Sequence, residues 1–213
     1  MFKFLKKQPP ARIIAVGFLL MILLGSLLLS LPCSVRPGVR LPYLDALYTA
    51  TSAVCVTGLA VVDAHDTFTP LGQFILGCLI QIGGLGVASI GTGIALMVGG
   101  RLDLKGQTLI RETLNLDSGK GLIRFLRSVF FMTVTIELAG ALLSFPVFLK
   151  RYPPLRAAGI SLFHSVASFN NSGFDILGGM RNLIPYQTDV PLNLITCALV
   201  ILGGIGFPVL REL

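Results

Sequence analysis

Two short runs combine hydroxyls, amides and glycine in a way that suits an ion better than a covalent reaction. The first is Thr49-Ala50-Thr51-Ser52-Ala53-Val54-Cys55-Val56-Thr57-Gly58-Leu59. The second, Phe163-His164-Ser165-Val166-Ala167-Ser168-Phe169-Asn170-Asn171-Ser172-Gly173-Phe174, comes about 115 residues later with the same plan. Each reads as an apolar, hydroxyl-rich half-helix that ends in small polar residues and a glycine. From Asp45 as N-cap, Ala46 to Val54 give roughly 15 Å of helix, half a membrane. A helix that stops at that depth leaves its last carbonyls without partners, which is tolerated only where backbone is buried in protein or lines water. Cys55, Val56, Thr57 and Gly58 then read as extended backbone, with Gly58 free to take angles other residues resist. The carbonyls of Val56, Thr57, Asn171 and Ser172, at the negative ends of two half-helices, suit a dehydrated alkali cation. The ordinary alternative is a buried helix whose Ser and Thr bond back to the backbone and which Gly58 ends. The second copy, with Asn170, Asn171, Ser172 and Gly173 in the corresponding places, favours the ion pathway.

Other reactive residue types are sparse. Asp63, His65 and Asp66 form the one tight Asp/His cluster. It reads either as a metal or general-base site or, more simply, as a solvated loop whose carboxylates raise the local cation concentration. Glu137 lies inside an apolar run, where a carboxyl is expensive and faces protein or water. Its two readings are a cavity-lining or proton-linked group and, preferred because no chain of such groups accompanies it, a buried group tied to a neighbouring helix through a hydroxyl or a basic linker residue. His164 sits in a helix body and reads as a packing or hydrogen-bonding residue. Cys33, Cys55, Cys78 and Cys197 lack metal-ligand spacing and read as buried free thiols. The glycines at 83, 84 and 86 are followed by no Gly-Lys-Ser/Thr, which excludes a phosphate cradle. No enzyme constellation emerges.

The elements that must position these runs are membrane helices. With 54% hydrophobic and 13% charged residues and a mean hydropathy of +0.83, the chain is not that of a soluble domain. Four apolar spans stand out: Ile13 to Leu31, Pro70 to Val98, Phe125 to Leu149 and Leu192 to Leu210. Lysines and arginines concentrate before the first span and in Gly99 to Ser128, which places the N-terminus and the middle linker in the cytoplasm. The net charge of +7 is explained by this bias without nucleic acid. Gly77, Gly84, Ala88 and Gly91 recur at helical spacing as a stripe for a neighbouring helix. Asp103 to Leu116 reads as an amphipathic linker helix. Leu202-Gly203-Gly204-Ile205-Gly206 answers Ile82-Gly83-Gly84-Leu85-Gly86, so the chain repeats as span, re-entrant half-helix and span. Both copies enter from the cytoplasm, which makes them parallel repeats. The expected fold is therefore an all-α membrane protein of two such repeats, of the potassium-channel type. Residues 1–12 form a cytoplasmic N-terminus, 13–98 the first repeat, 99–124 the linker and 125–213 the second repeat.

These residues resemble the ion-translocating subunits of the Trk/Ktr/HKT potassium-transporter superfamily, Ktr-type subunits above all. The resemblance rests on Tyr43 to Ala50, Val56 to Asp63, Leu79 to Gly86, Phe163 to Phe174 and Gly203 to Phe207. It implies four repeats around one pore with a filter glycine in each, Gly58 and Gly173 matching the first two. It further implies potassium uptake, often with sodium as coupling or activating ion, no covalent cofactor, and a multi-pass protein of the inner (plasma) membrane bilayer. A homodimer with a cytoplasmic nucleotide-binding regulatory subunit (KtrA/TrkA-like) is the implied assembly. The sequence departs from that pattern in holding two repeats, and is expected to be either a truncated product or half of an assembly.

Overall fold

A computed structural model describes residues 10–86 and 122–212. Among these residues every regular element is helical: α1 (Pro10–Leu29), α2 (Tyr43–Val54), α3 (Ala64–Thr67), α4 (Pro70–Leu85), α5 (Leu122–Leu149), α6 (Pro154–Phe169), α7 (Val190–Ile205) and α8 (Phe207–Glu212), with a 3-10 turn at Ile184–Tyr186. Strand character among the described residues is confined to a single bridge between Val35 and Phe68. The expected linker helix, Ala88, Gly91 and the last part of the Pro70 to Val98 run lie outside the described residues.

Local chemistry explains the helix limits. Proline fits at helix starts, where its missing N–H costs nothing, and it opens both half-helices. α2 follows Pro42, with Asp45 inside the first turn and not at the N-cap. α6 starts at Pro154, five residues before the expected Gly159. Thr69 caps α4 through Gly72 N–H (3.2 Å), and Asp189 caps α7 through Leu192 N–H (3.0 Å). Both helices then stop at a glycine with left-handed φ, Gly86 at 82° and Gly206 at 93°. These breaks fall inside runs that read as continuous spans, because hydropathy does not register a change of backbone hand.

The helices form two equivalent groups. α2 packs between α1 and α4, α6 packs between α5 and α7, and α4 against α6 joins the groups. The equivalence reaches single contacts. A Cβ on Gly25 of α1 would meet Leu79 of α4 at 2.8 Å, and one on Gly140 of α5 would meet Leu199 of α7 at 2.8 Å. A Cβ on Gly83 would strike the Val54 carbonyl that ends α2, as one on Gly203 would strike the Phe169 carbonyl that ends α6. In the expected stripe, Gly77 does face Phe163 and Gly84 faces Asn170, while Gly83 makes the close approach to α2.

The core runs through both groups, with Leu29, Phe68, Leu76, Ile80, Phe148 and Leu192 buried together. Outward faces are apolar and uncovered. Phe131 and Leu142 of α5 are 75% and 73% exposed, and Leu19, Leu20 and Leu27 of α1 are also exposed. α1 and α5 are long and apolar enough to cross a bilayer, and exposed hydrocarbon on this scale needs lipid around it. The free thiols of Cys33, Cys55 and Cys197 are exposed and Cys78 is half-buried, so the expectation of buried thiols fails: they lie on these open faces and connections.

Candidate functional site

α2 and α6 end in the same hydrogen-bonded turn. At α2, Val56 N–H donates to Ala53 O (3.3 Å) and Thr57 N–H to Ser52 O (3.0 Å). At α6, Asn171 N–H donates to Ser168 O (3.1 Å) and Ser172 N–H to Ala167 O (2.8 Å). This pairing is the Schellman closure of a helix C-terminus. It requires a left-handed residue just past the cap, and φ is 54° at Val56 and 56° at Asn171. Gly58 and Gly173 are left-handed as well, at 71° and 73°. Cys55 and Asn170 are right-handed at the caps. The backbone at 55–58 is therefore not extended throughout as expected: Cys55 is right-handed and Val56 and Gly58 are left-handed, because the orphan carbonyls of α2 draw the next N–H groups back onto the helix.

The hydroxyls of the half-helices bond back as the simpler sequence reading had it, Thr49 to Asp45 O and Thr51 to Leu47 O, each at 2.7 Å. They do so without lengthening the helix. Thr57 Oγ1 donates to Ser52 Oγ (3.0 Å) and secures the first turn. Asparagine tolerates the left-handed region and a β-branched residue does not. Val56→Asn is accordingly expected to stabilise the protein by about 1 kcal/mol, the low end of such backbone strain; a thermal or denaturant midpoint unchanged or lowered would contradict it.

The structure brings the two turns into contact. A Cβ on Gly58 would lie 2.7 Å from Ser172 O and 3.2 Å from Gly173 Cα. Beside them is a cavity of about 100 Å³ lined by Gly58, Asp63, Gly173, Asp175 and Asn182. A larger one of about 230 Å³ reaches Asn171, Ser168, His164 and Thr196. Burial raises the Asp175 carboxyl above its ordinary value, with nearby Asp63 adding to the effect against hydrogen bonds from Leu177 and Gly178 N–H. Asn182 Nδ2 donates to Gly173 O (3.3 Å). Asp175 and Asn182 escaped sequence reasoning; their position past the glycine was the one available signal.

The Asp63, His65 and Asp66 cluster keeps the solvent-facing setting expected of a loop, Asp66 above all, and its carboxylates also bond backbone N–H groups. Asp63 accepts from Met180 N–H (2.6 Å) and Asp66 from Gly179 N–H (3.0 Å), and Asp63 also caps α3 through Asp66 N–H (2.8 Å). No group of three metal-ligating side chains occurs among the described residues. The cluster is a clasp that ties the first group to the left-handed loop 178–182 of the second. His65 sits between Arg156 (2.9 Å from Nε2) and Arg36 (3.2 Å from Nδ1). Burial lowers its pKa below the ordinary 6.5, Arg156 and Arg36 lower it further, and Asp66 and Asp63 oppose them. A histidine whose folded pKa is depressed adds stability above its unfolded pKa and loses it as pH falls through the folded value. Amide exchange at Gly179 and Met180, corrected for intrinsic rate, is expected to be faster at about pH 5 than at about pH 7. Equal protection at both would remove the His65 account.

The remaining sequence candidates lie behind the second turn. Glu137 Oε1 accepts from Asn170 Nδ2 (3.2 Å), which also donates to Gln81 Oε1 (3.0 Å). Its partners are amides of two other helices, where the sequence suggested a hydroxyl or a basic linker residue. His164 pairs through Nε2 with Thr196 Oγ1 (3.0 Å). Since the Thr196 hydroxyl donates to Leu192 O, His164 is the donor. Its ring stands edge-on to Phe148.

Helices with uncovered apolar faces, two of them long enough to span, define an all-helical membrane protein. Residues 13–213 match the TrkH family, described as a cation transport protein, and the chain belongs to that family. It is 39% identical over 211 residues to the Ktr system potassium uptake protein D of Bacillus subtilis, covering 99% of this chain and 46% of that protein. It is 38% identical over 208 residues to the potassium/sodium uptake protein NtpJ of Enterococcus hirae, covering 98% and 46%. Identity is 36% over 205 residues with the Ktr system potassium uptake protein B of Vibrio alginolyticus, covering 94% and 43%. The chain spans about half the length of the curated relatives it matches.

Proposed function

We propose that this chain supplies half of a potassium-selective pathway, in which the backbone carbonyls of Val56, Thr57, Asn171 and Ser172 replace the hydration shell of the ion. The observation that carries this reading is the contact of Gly58 with Gly173 at the ends of two matching turns. In a strand successive carbonyls point to opposite sides; the left-handed residues at Val56 and Gly58, and at Asn171 and Gly173, break that pattern and can turn neighbouring carbonyls to one side. The C-terminal ends of α2 and α6 add negative dipole at the same place, which favours a cation. The relatives named for potassium uptake support the choice of ion, and the potassium/sodium naming of one of them supports sodium as coupling or activating ion.

The three-helix groups then correspond to two parallel repeats of span, pore loop and span, at 13–98 and 125–213, joined by a cytoplasmic linker at 99–124. The N-terminus lies in the cytoplasm, and Asp63 and Asp175 face the external mouth. The faces left open support completion of the ring by further repeats. Inside the chain, Gly77 and Gly84 of α4 receive Phe163 and Asn170 of α6. Their equivalents on α7, 120 residues on, are Cys197, which is exposed, and Gly204, which meets only the Asn171 side chain. The equivalents of Phe163 and Asn170, 115 residues earlier, are Tyr48 and Cys55, both exposed. One open face thus repeats each half of the internal seam. A homodimer and a cytoplasmic nucleotide-binding regulator complete the proposed assembly.

Expression in bacteria deprived of their own potassium uptake tests the proposal. Rubidium entry above the vector control, from this chain or from this chain joined to a second pair of repeats, is the expected result. No entry from either contradicts it.

A further inference from the structure

The two turns match in backbone but differ in what holds them. At the cap of α2, the Cys55 side chain is exposed. At the matching cap of α6, Asn170 is buried and its Nδ2 lies within hydrogen-bonding distance of Gln81 Oε1 (3.0 Å), Glu137 Oε1 (3.2 Å) and Val166 O (2.9 Å). Gln81 comes from α4 in the first group and Glu137 from α5 in the second. Gly84 completes the socket, since a Cβ there would sit 2.5 Å from Asn170 Cγ. A second tie runs from Ser165 Oγ of α6 to the Glu137 carbonyl (2.7 Å). Cysteine has no amide with which to make such a bridge, and among the described residues the side-chain bond at the first turn is the local one from Thr57 Oγ1 to Ser52 Oγ.

Glu137 and Gln81 do not line the cavities beside the glycines. They open on the opposite side, into a mainly apolar cavity of about 350 Å³ between α4 and α6, with Phe74, Gly77, Phe163 and Val166. Among the described residues their side-chain polar atoms meet the turn through Asn170. A buried amide that loses its partners pays the full cost of desolvation, so the network resists displacement of Asn170. Asn170 leads directly into Asn171 and Ser172.

The geometry points to Glu137 and Gln81 as positioning residues for the second glycine turn: through Asn170 they fix the Asn171 and Ser172 carbonyls from two different helices, while among the described residues the first turn has no brace from another helix. The assignment rests on the ion-pathway function proposed above. It gives Glu137 the role of a hydrogen-bond acceptor, a role glutamine also fills.

The test compares Glu137→Gln, Glu137→Ala and Gln81→Ala in the intact protein by two readouts. The first is rubidium uptake and its discrimination against sodium. Glu137→Ala and Gln81→Ala are expected to lose discrimination by about tenfold, the size of a lost buried hydrogen bond, and Glu137→Gln to stay within about twofold of the parent. The second is amide exchange: in both alanine variants exchange should quicken at Asn171 and Ser172 and not at Val56 and Thr57. Alanine variants that keep both discrimination and protection overturn the assignment. So does a Glu137→Gln variant as damaged as Glu137→Ala, which would make the carboxylate itself the working group. If the parent protein takes up no rubidium, the ion-pathway function fails, and the exchange contrast between the two turns still decides whether Glu137 and Gln81 hold the second. A Glu137→Ala variant that does not assemble leaves the decision to Gln81→Ala.

Discussion

Replacing Gly58 by serine is expected to cost the protein its discrimination of potassium from sodium, by an order of magnitude or more. The first reason is conformational. Gly58 has φ of 71°, where an L-residue carries a penalty of roughly 1–2 kcal/mol. The second is steric. The new Cβ would stand 2.7 Å from Ser172 O, so the second turn must retreat and carry its carbonyls with it. A displacement of a few tenths of an ångström alters a carbonyl cage for a dehydrated ion far more than it alters the fold. Gly173→Ser should be milder, because its Cβ would meet Gly58 Cα at 3.2 Å and Gly58 O only at 3.8 Å. Competition between sodium and rubidium uptake measures both. Equal discrimination in parent and Gly58→Ser protein would separate the glycine contact from ion selection.

The largest effect on folding is expected at Gly203 and Gly83. An alanine at either places its Cβ on a backbone carbonyl, that of Phe169 or of Val54, at the end of a half-helix. Backbone offers no flexible side chain to swing aside, so α7 must separate from α6, or α4 from α2. Overpacking of a tight site costs about 1–3 kcal/mol, and the backbone contact places these changes at or beyond the upper end. The expected outcome is loss of monodisperse protein, or a thermal midpoint lowered by several degrees, for Gly203→Ala and Gly83→Ala alike. Gly159→Ala is the internal control. It lies in a helix with open space around a new Cβ, so alanine should be neutral or should stabilise by up to about 1 kcal/mol. Normal stability in Gly203→Ala would mean that α7 does not approach α6 as described.

Much of this arrangement can be read from residue order. That helices end a few residues before Gly58 and Gly173, and that Gly-Gly-x-Gly recurs, follows from spacing and hydropathy. The family is legible in the same motifs, and residues 13–213 belong to it. What spacing hides is the hand of the backbone and the distant partner. Nothing in Ile82 to Gly86 tells a glycine that continues a helix from one that ends it; Gly86 ends α4 because its left-handed φ suits a helix terminus. Val56 is harder still, since a β-branched residue argues against the left-handed position it holds. The Asp63 and Asp66 carboxylates find N–H partners more than a hundred residues away, and the Asn170 amide finds Gln81 in the other helix group. Such pairs come together only after the two groups dock. Residues that look solvated or merely buried in sequence are, for that reason, the ones that join the halves.

The proposed ligands of the potassium ion are the carbonyls of Val56, Thr57, Asn171 and Ser172. Anomalous scattering from crystals of the assembled protein grown in rubidium or thallium measures this most directly. The expected result is an anomalous peak at those carbonyls, beside the Gly58 and Gly173 contact, that weakens when potassium is added in competition and persists when sodium is. A well-occupied peak elsewhere in the protein, with none at the two turns, would contradict it.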